Sequence, residues 1–86
     1  MPTINTPITA IWTKIAASTD TELLATWSTP VQMELAVTAT DVAPTVEGHR
    51  ITKDDQISRA AVGAGFVWVK LRAGSVPSTI NMVVTK

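Results

Sequence analysis

The chain has 86 residues and no cysteine, a formal net charge of zero, and 16% charged residues against 45% hydrophobic ones. That length makes one small domain with a thin core. Without thiols neither a disulfide framework nor a thiolate metal site can reinforce it, which leaves association with other chains as the remaining route to stability. The charge balance argues against nucleic acid as a partner, no run approaches the roughly 18 apolar residues of a membrane span, and no basic-then-apolar export signal opens the chain, so a soluble protein is expected.

Residues 1–10, Met-Pro-Thr-Ile-Asn-Thr-Pro-Ile-Thr-Ala, place two prolines among β-branched residues. Proline removes backbone donors and favours extended chain over helix, so this stretch reads as an N-terminal arm, either a loose terminus or one lying along a neighbouring subunit with Ile4 and Ile8 as anchors. Ile11 to Ala16 reads as a strand, with Ile11, Thr13 and Ile15 on one face and Trp12 and Lys14 on the other. Ser18-Thr19-Asp20 is a polar turn. The segment from Thr21 to Trp27 is short for a helix and closes at Ser28-Thr29-Pro30, which favours a second strand.

Val31 to Thr38 alternates cleanly, with Val31, Met33, Leu35 and Val37 on one face and Gln32, Glu34, Ala36 and Thr38 on the other. The segment Thr40 to Thr45 is a loop. Val46 to Thr52 reads as a strand, Lys53-Asp54-Asp55 as a tight turn, and Gln56 to Val62 as its hairpin partner. Gly63-Ala64-Gly65 turns the chain into the stretch Phe66 to Arg72. There Val67, Val69 and Leu71 make an aliphatic face, while Phe66, Trp68, Lys70 and Arg72 make an aromatic and cationic one. Phe and Trp on the outward face imply that protein covers both faces at that end, and in so short a chain another subunit is one source of the second layer. After a loop at 73–78, Thr79 to Thr85 is a closing strand with Ile80, Met82 and Val84 together and Val83 opposite. Seven short strands without a convincing helix give an all-β chain, a small antiparallel sandwich or flattened barrel over residues 11–86 with an extended arm before it.

Catalytic and metal signatures are weak. His49 is the sole histidine and has only Glu47 beside it on the same face, whereas a closed zinc site needs four ligands. No nucleophile elbow marks a serine. Asp54-Asp55 lacks the surrounding ligand pattern of a calcium loop and reads as a solvated turn, and Gly63-Ala64-Gly65 precedes no lysine-bearing helix. The expectation is a protein without catalytic residues, metal or cofactor. The aromatic set, Trp12, Trp27, Phe66 and Trp68, is the most informative feature, because tryptophan is enriched both in buried cores and at interface hot spots. With Ile4 and Ile8 these residues make up the expected interface. A sugar platform ranks lower, since amide side chains are scarce.

From about Asp20 to Lys86 the order of pieces is a strand pair, Val31-Gln32-Met33-Glu34-Leu35-Ala36-Val37, a loop with Ala43-Pro44-Thr45, then Gly48-His49-Arg50-Ile51. A polar turn at Lys53-Asp54-Asp55, Val67-Trp68-Val69-Lys70 and a terminal Met82-Val83-Val84-Thr85 complete it. This order resembles the small all-β virion proteins of tailed bacteriophages, which include capsid decoration proteins and head- or tail-attached modules. Many of those chains have Pro-Gly-Glu where this one has Lys53-Asp54-Asp55. The resemblance implies a structural virion protein that self-associates, as a trimer, and binds the major capsid protein or another virion protein. A receptor- or glycan-binding module on a tail or head is the alternative it implies.

Overall fold

The computed structural model describes residues 3–28, 31–51, 56–72, 74 and 78–86. Among these residues eight strands form in chain order: β1 (Thr3–Ile8), β2 (Thr13–Ala16), β3 (Leu24–Thr26), β4 (Met33–Thr38), β5 (His49–Ile51), β6 (Gln56–Ser58), β7 (Phe66–Leu71) and β8 (Ile80–Thr85). They build two four-stranded antiparallel sheets, β1-β8-β3-β6 (sheet A) and β2-β7-β4-β5 (sheet B). A single helical turn, α1 (Arg59–Val62), follows β6. The fold is therefore the all-β sandwich that the alternating segments imply, with one strand more than the sequence suggests.

Each inner face is the apolar half of an alternation. Sheet A contributes Ile8, Ala25, Ile57, Ile80, Met82 and Val84, and sheet B contributes Met33, Leu35, Val67, Val69 and Leu71, all buried in one core. Leu23, Trp27 and Val31, outside the strands, fill the same core. Strand β7 is central in sheet B, flanked by β2 and β4, which explains its three almost fully buried aliphatic residues. In β2 a register shift between Lys14 and Ala16 turns both Ile15 and Ala16 inward. Ile11, expected on that inner face, precedes the strand and is exposed.

Two further expectations are corrected. Residues 3–8 are not an arm lying outside the sandwich: β1 pairs with β8 along its whole length, from Thr3↔Thr85 to Ile8↔Ile80, and Ile8 is 0% exposed. Pro7 permits this because an edge strand tolerates a residue with no N–H on its open side. Nor do the strands on either side of residues 52–55 form a hairpin. β5 pairs with β4 in sheet B and β6 pairs with β3 in sheet A, so Ile51 and Ile57 approach the core from opposite layers. The Lys53-Asp54-Asp55 turn lies outside the described residues.

Chain direction at the start of β7 depends on Gly65, whose φ is +127°. A Cβ there would come within 2.8 Å of Val37 Cγ1 and 2.9 Å of the Thr38 carbonyl oxygen, so the position excludes any side chain on both conformational and steric grounds.

Candidate interaction surfaces

The six residues expected at an interface do not form one surface. Ile8 and Trp27 belong to the core, with Trp27 6% exposed and its indole N–H without an acceptor among the described residues. Trp12, Phe66 and Trp68 stand on the outer face of sheet B or beside it. Ile4, 47% exposed, is at the open edge of sheet A.

The layer over Trp68 comes from the chain itself. Its register neighbours are Lys14 on β2 and Ala36 on β4, and the small Ala36 side chain leaves room for the indole between the strands. Thr38, at the end of β4, accepts a hydrogen bond from Trp68 Nε1 at 2.9 Å and donates to the Thr40 carbonyl oxygen at 2.7 Å. From there the connection 39–48 is fastened to both flanking strands. Asp41 forms an ion pair with Lys14 of β2 at 2.8 Å, and the Gly48 amide donates to Glu34 Oε1 of β4 at 3.0 Å. Trp68 is consequently only 9% exposed in a single copy, and the inference that both faces of β7 meet protein holds without a second subunit.

The remaining outer-face aromatics are held by cations. Lys14 Nζ lies 5.4 Å from the Phe66 ring centroid, and Lys70 Nζ lies 4.9 Å from that of Trp12. Contacts of this kind contribute about 0.5–1 kcal/mol at exposed sites. Trp12 also leans on Gly48, where a Cβ would meet its ring at 2.8 Å and the Leu35 carbonyl oxygen at 2.6 Å, so glycine is the residue that lets the indole close over the loop's end. Trp12 and Phe66 are thus half-buried supports of the roof over sheet B.

Sheet A has a different surface. The strands of sheet B carry Lys14, Glu34, His49, Arg50 and Lys70, whereas those of sheet A, Thr3–Ile8, Leu24–Thr26, Gln56–Ser58 and Ile80–Thr85, carry no charged residue. Because Ile80, Met82 and Val84 point inward, Asn81, Val83 and Thr85 point outward. Register places Thr26 and Asn5 beside Val83, and Leu24 and Thr3 beside Thr85. Leu24 is 45% exposed and Val83 40%. A shallow recess of about 360 Å³ at Glu22, Leu24, Ser58, Arg59 and Thr85 continues this face toward α1, so that charge appears only at its margin. Of its two large apolar residues, Val83 is signalled in the sequence by lying opposite Ile80, Met82 and Val84. Leu24 is not, because the faces of a three-residue strand cannot be assigned from so short an alternation.

Arg59 is a residue the sequence gives no reason to single out. Its guanidinium donates to the carbonyl oxygens of Ala17 at 2.8 Å, Gly63 at 3.0 Å and Gly65 at 3.0 Å, joining the turn after β2 to the glycine turn before β7. Its own amide donates to the Leu23 carbonyl oxygen. Arg59→Ala is expected to lower stability by about 2 kcal/mol in urea denaturation, the range for charge-assisted bonds to partly buried acceptors. Arg59→Lys is not expected to restore it, since one ammonium cannot span three carbonyls held by a planar fork.

Among the described residues no group of three or more His, Cys, Asp or Glu is placed to hold a metal ion, and no helix is long and apolar enough to cross a membrane. His49, whose companion in the sequence is Glu47, is exposed at the start of β5. What the geometry defines is a class of fold, a two-layer antiparallel β-sandwich with a charged, roofed sheet and an uncharged, open one. Comparison with family models, with curated proteins and with solved structures finds no match to this chain.

Proposed function

We propose that this chain is a non-enzymatic structural protein of a tailed-phage virion, which self-associates and binds the particle surface as a capsid decoration protein. The observation that carries this reading is the outer face of sheet A: a four-stranded surface free of charged strand residues, with Leu24 and Val83 exposed on its two central strands. Placing a face like this against a shell buries apolar area at about 25 cal/mol per Å², with no charged strand residue to desolvate. The sandwich fold and the order of segments that resembles the phage virion group support the same role. Bridging neighbouring capsid subunits in this way opposes outward pressure on the shell and requires neither catalytic residues nor a cofactor.

The glycan-binding alternative needs an open indole face. Trp27 and Trp68 are buried, and Trp12 rests on Gly48 with Lys70 against its ring, which leaves the particle-binding reading as the better supported one.

The test is co-sedimentation with empty heads assembled from the capsid gene of the same genome. Saturable binding is expected from the wild-type chain, and loss of binding from the Leu24→Lys/Val83→Lys double variant, both positions being exposed and remote from the core. Absence of binding by the folded wild-type chain, or undiminished binding by the double variant, overturns the proposal.

A further inference from the structure

Every open sheet has two edges, and an edge strand presents unpaired N–H and C=O groups that recruit another strand unless something deters it. Three of the four edges here are deterred. Edge strand β2 carries Lys14, and β5 carries His49 and Arg50. Edge strand β6 is three residues long and runs directly into α1. The fourth, β1, is six residues long, Thr-Ile-Asn-Thr-Pro-Ile, with neither charge nor bulge, and its one deterrent is Pro7, next to its end. It also leaves Ile4 47% exposed although Ile4 lies on the inward side, opposite buried Val84. A core-facing isoleucine left uncovered at a bare edge is what an added strand would cover.

From this we infer that β1 is the edge through which two copies of the chain join, antiparallel, into one continuous eight-stranded sheet. The inference deepens the reading of the protein as self-associating and rests on it. Proline fixes the alternation: in an edge strand its nitrogen is tolerated on the open side, so Thr3, Asn5 and Pro7 turn their backbone groups outward. A two-fold axis at Asn5 then pairs Asn5 with the same residue of the second copy, and Thr3 with Pro7. In that register Pro7 falls on the outermost rung, where its missing donor removes one bond at each end and leaves the centre intact. Ile4 comes to lie across from Thr6 of the other copy, on the core side of the joined sheet.

The two-fold arrangement follows from the edges. Head-to-tail joining of β1 to β6, which a trimeric ring or an open fibre would need, offers a three-residue partner to a six-residue strand. Pairing β1 with itself matches lengths and closes after two copies. One strand pair with Ile4 buries less than the about 1,200 Å² of stable complexes, so dissociation falls in the micromolar-to-millimolar range and is reinforced where many copies sit on one particle.

Sedimentation equilibrium of the full chain up to roughly millimolar concentration, with Asn5→Lys as the variant, provides the test. The wild type is expected to pass from monomer to dimer. Asn5→Lys sets like charges directly opposite each other on an exposed position and is expected to weaken the dimer at least about tenfold with unchanged circular dichroism. Amide exchange supplies a second readout in the wild type, where the Asn5 N–H is expected to gain protection with concentration. A monomer throughout the range, a trimer, or a dimer indifferent to Asn5→Lys overturns the inference. So does an Asn5 amide whose exchange ignores concentration, the deciding readout if the variant does not fold. Head binding by a strictly monomeric chain would sink this edge and the self-association with it while keeping the particle-binding part of the proposed function, whereas a β1 dimer that binds no particle would do the reverse.

Discussion

Removing residues 1–9 is expected to unfold the protein rather than to free it of an appendage. The deletion takes away all six rungs between β1 and β8 and empties the place of Ile8, which is fully buried. Loss of a buried isoleucine alone costs about 2–5 kcal/mol, and a whole small domain holds about 5–15 kcal/mol. Strand β8 would also become an edge along its full length, exposing the backbone of Ile80 to Thr85, an uncharged and strongly β-forming stretch. The truncated chain is therefore expected to show no cooperative thermal transition in circular dichroism and to aggregate. A truncated chain that melts within a few degrees of wild type, with only its assembly weakened, would restore the view of residues 1–10 as an arm.

Trp68→Ala is the second large effect. The indole lies beside Ala36 and donates to Thr38 at the start of the 39–48 connection, so truncation leaves a cavity and removes the bond that ties the indole to that connection. A loss of about 3–5 kcal/mol is expected in urea denaturation. Trp68→Phe, which keeps an aromatic ring but loses the donor and part of the apolar volume, is expected to cost less, about 1–2 kcal/mol. Loosening of the roof should appear separately, as faster amide exchange at Gly48, whose N–H is tied to Glu34. A change below about 1 kcal/mol for Trp68→Ala would place the ring on open surface.

Alternation made much of this fold readable. Val67-Val69-Leu71, Met33-Leu35 and Ile80-Met82-Val84 are each one face of a strand in the sequence, and each is an inner face in the sandwich. Pairing was not readable, because period two says which face is apolar and nothing about which strand lies alongside. Except between β4 and β5, each strand lies in the opposite sheet from the one before it, so neighbours in the chain are seldom neighbours in a sheet. That is why Val46–Thr52 and Gln56–Val62 look like a hairpin and are not one. It is also why the first ten residues, which have no turn-linked partner, look like an arm.

The interface residues divide along the same line. Large aromatics mark places where protein must lie on both sides, but composition cannot say whether the second side is another subunit or a ten-residue connection fastened by Asp41 and Gly48. Sheet A carries the opposite lesson. Its lack of charge is plain in four short segments, yet it acquires meaning only once the register assembles them into one surface.

The proposed division of labour, with sheet B closed by its own loop and sheet A left open for assembly, is tested most directly by following backbone amide and indole NMR shifts as the isotopically labelled chain is concentrated. Shifts confined to the β1 edge of sheet A, centred on Ile4, Asn5 and Thr6, are predicted, with the Trp68 indole and Lys14 amide silent throughout. Shifts centred instead on Trp12, Phe66 and the Trp68 indole would contradict the account, for they would mean that association proceeds through the face described here as already roofed.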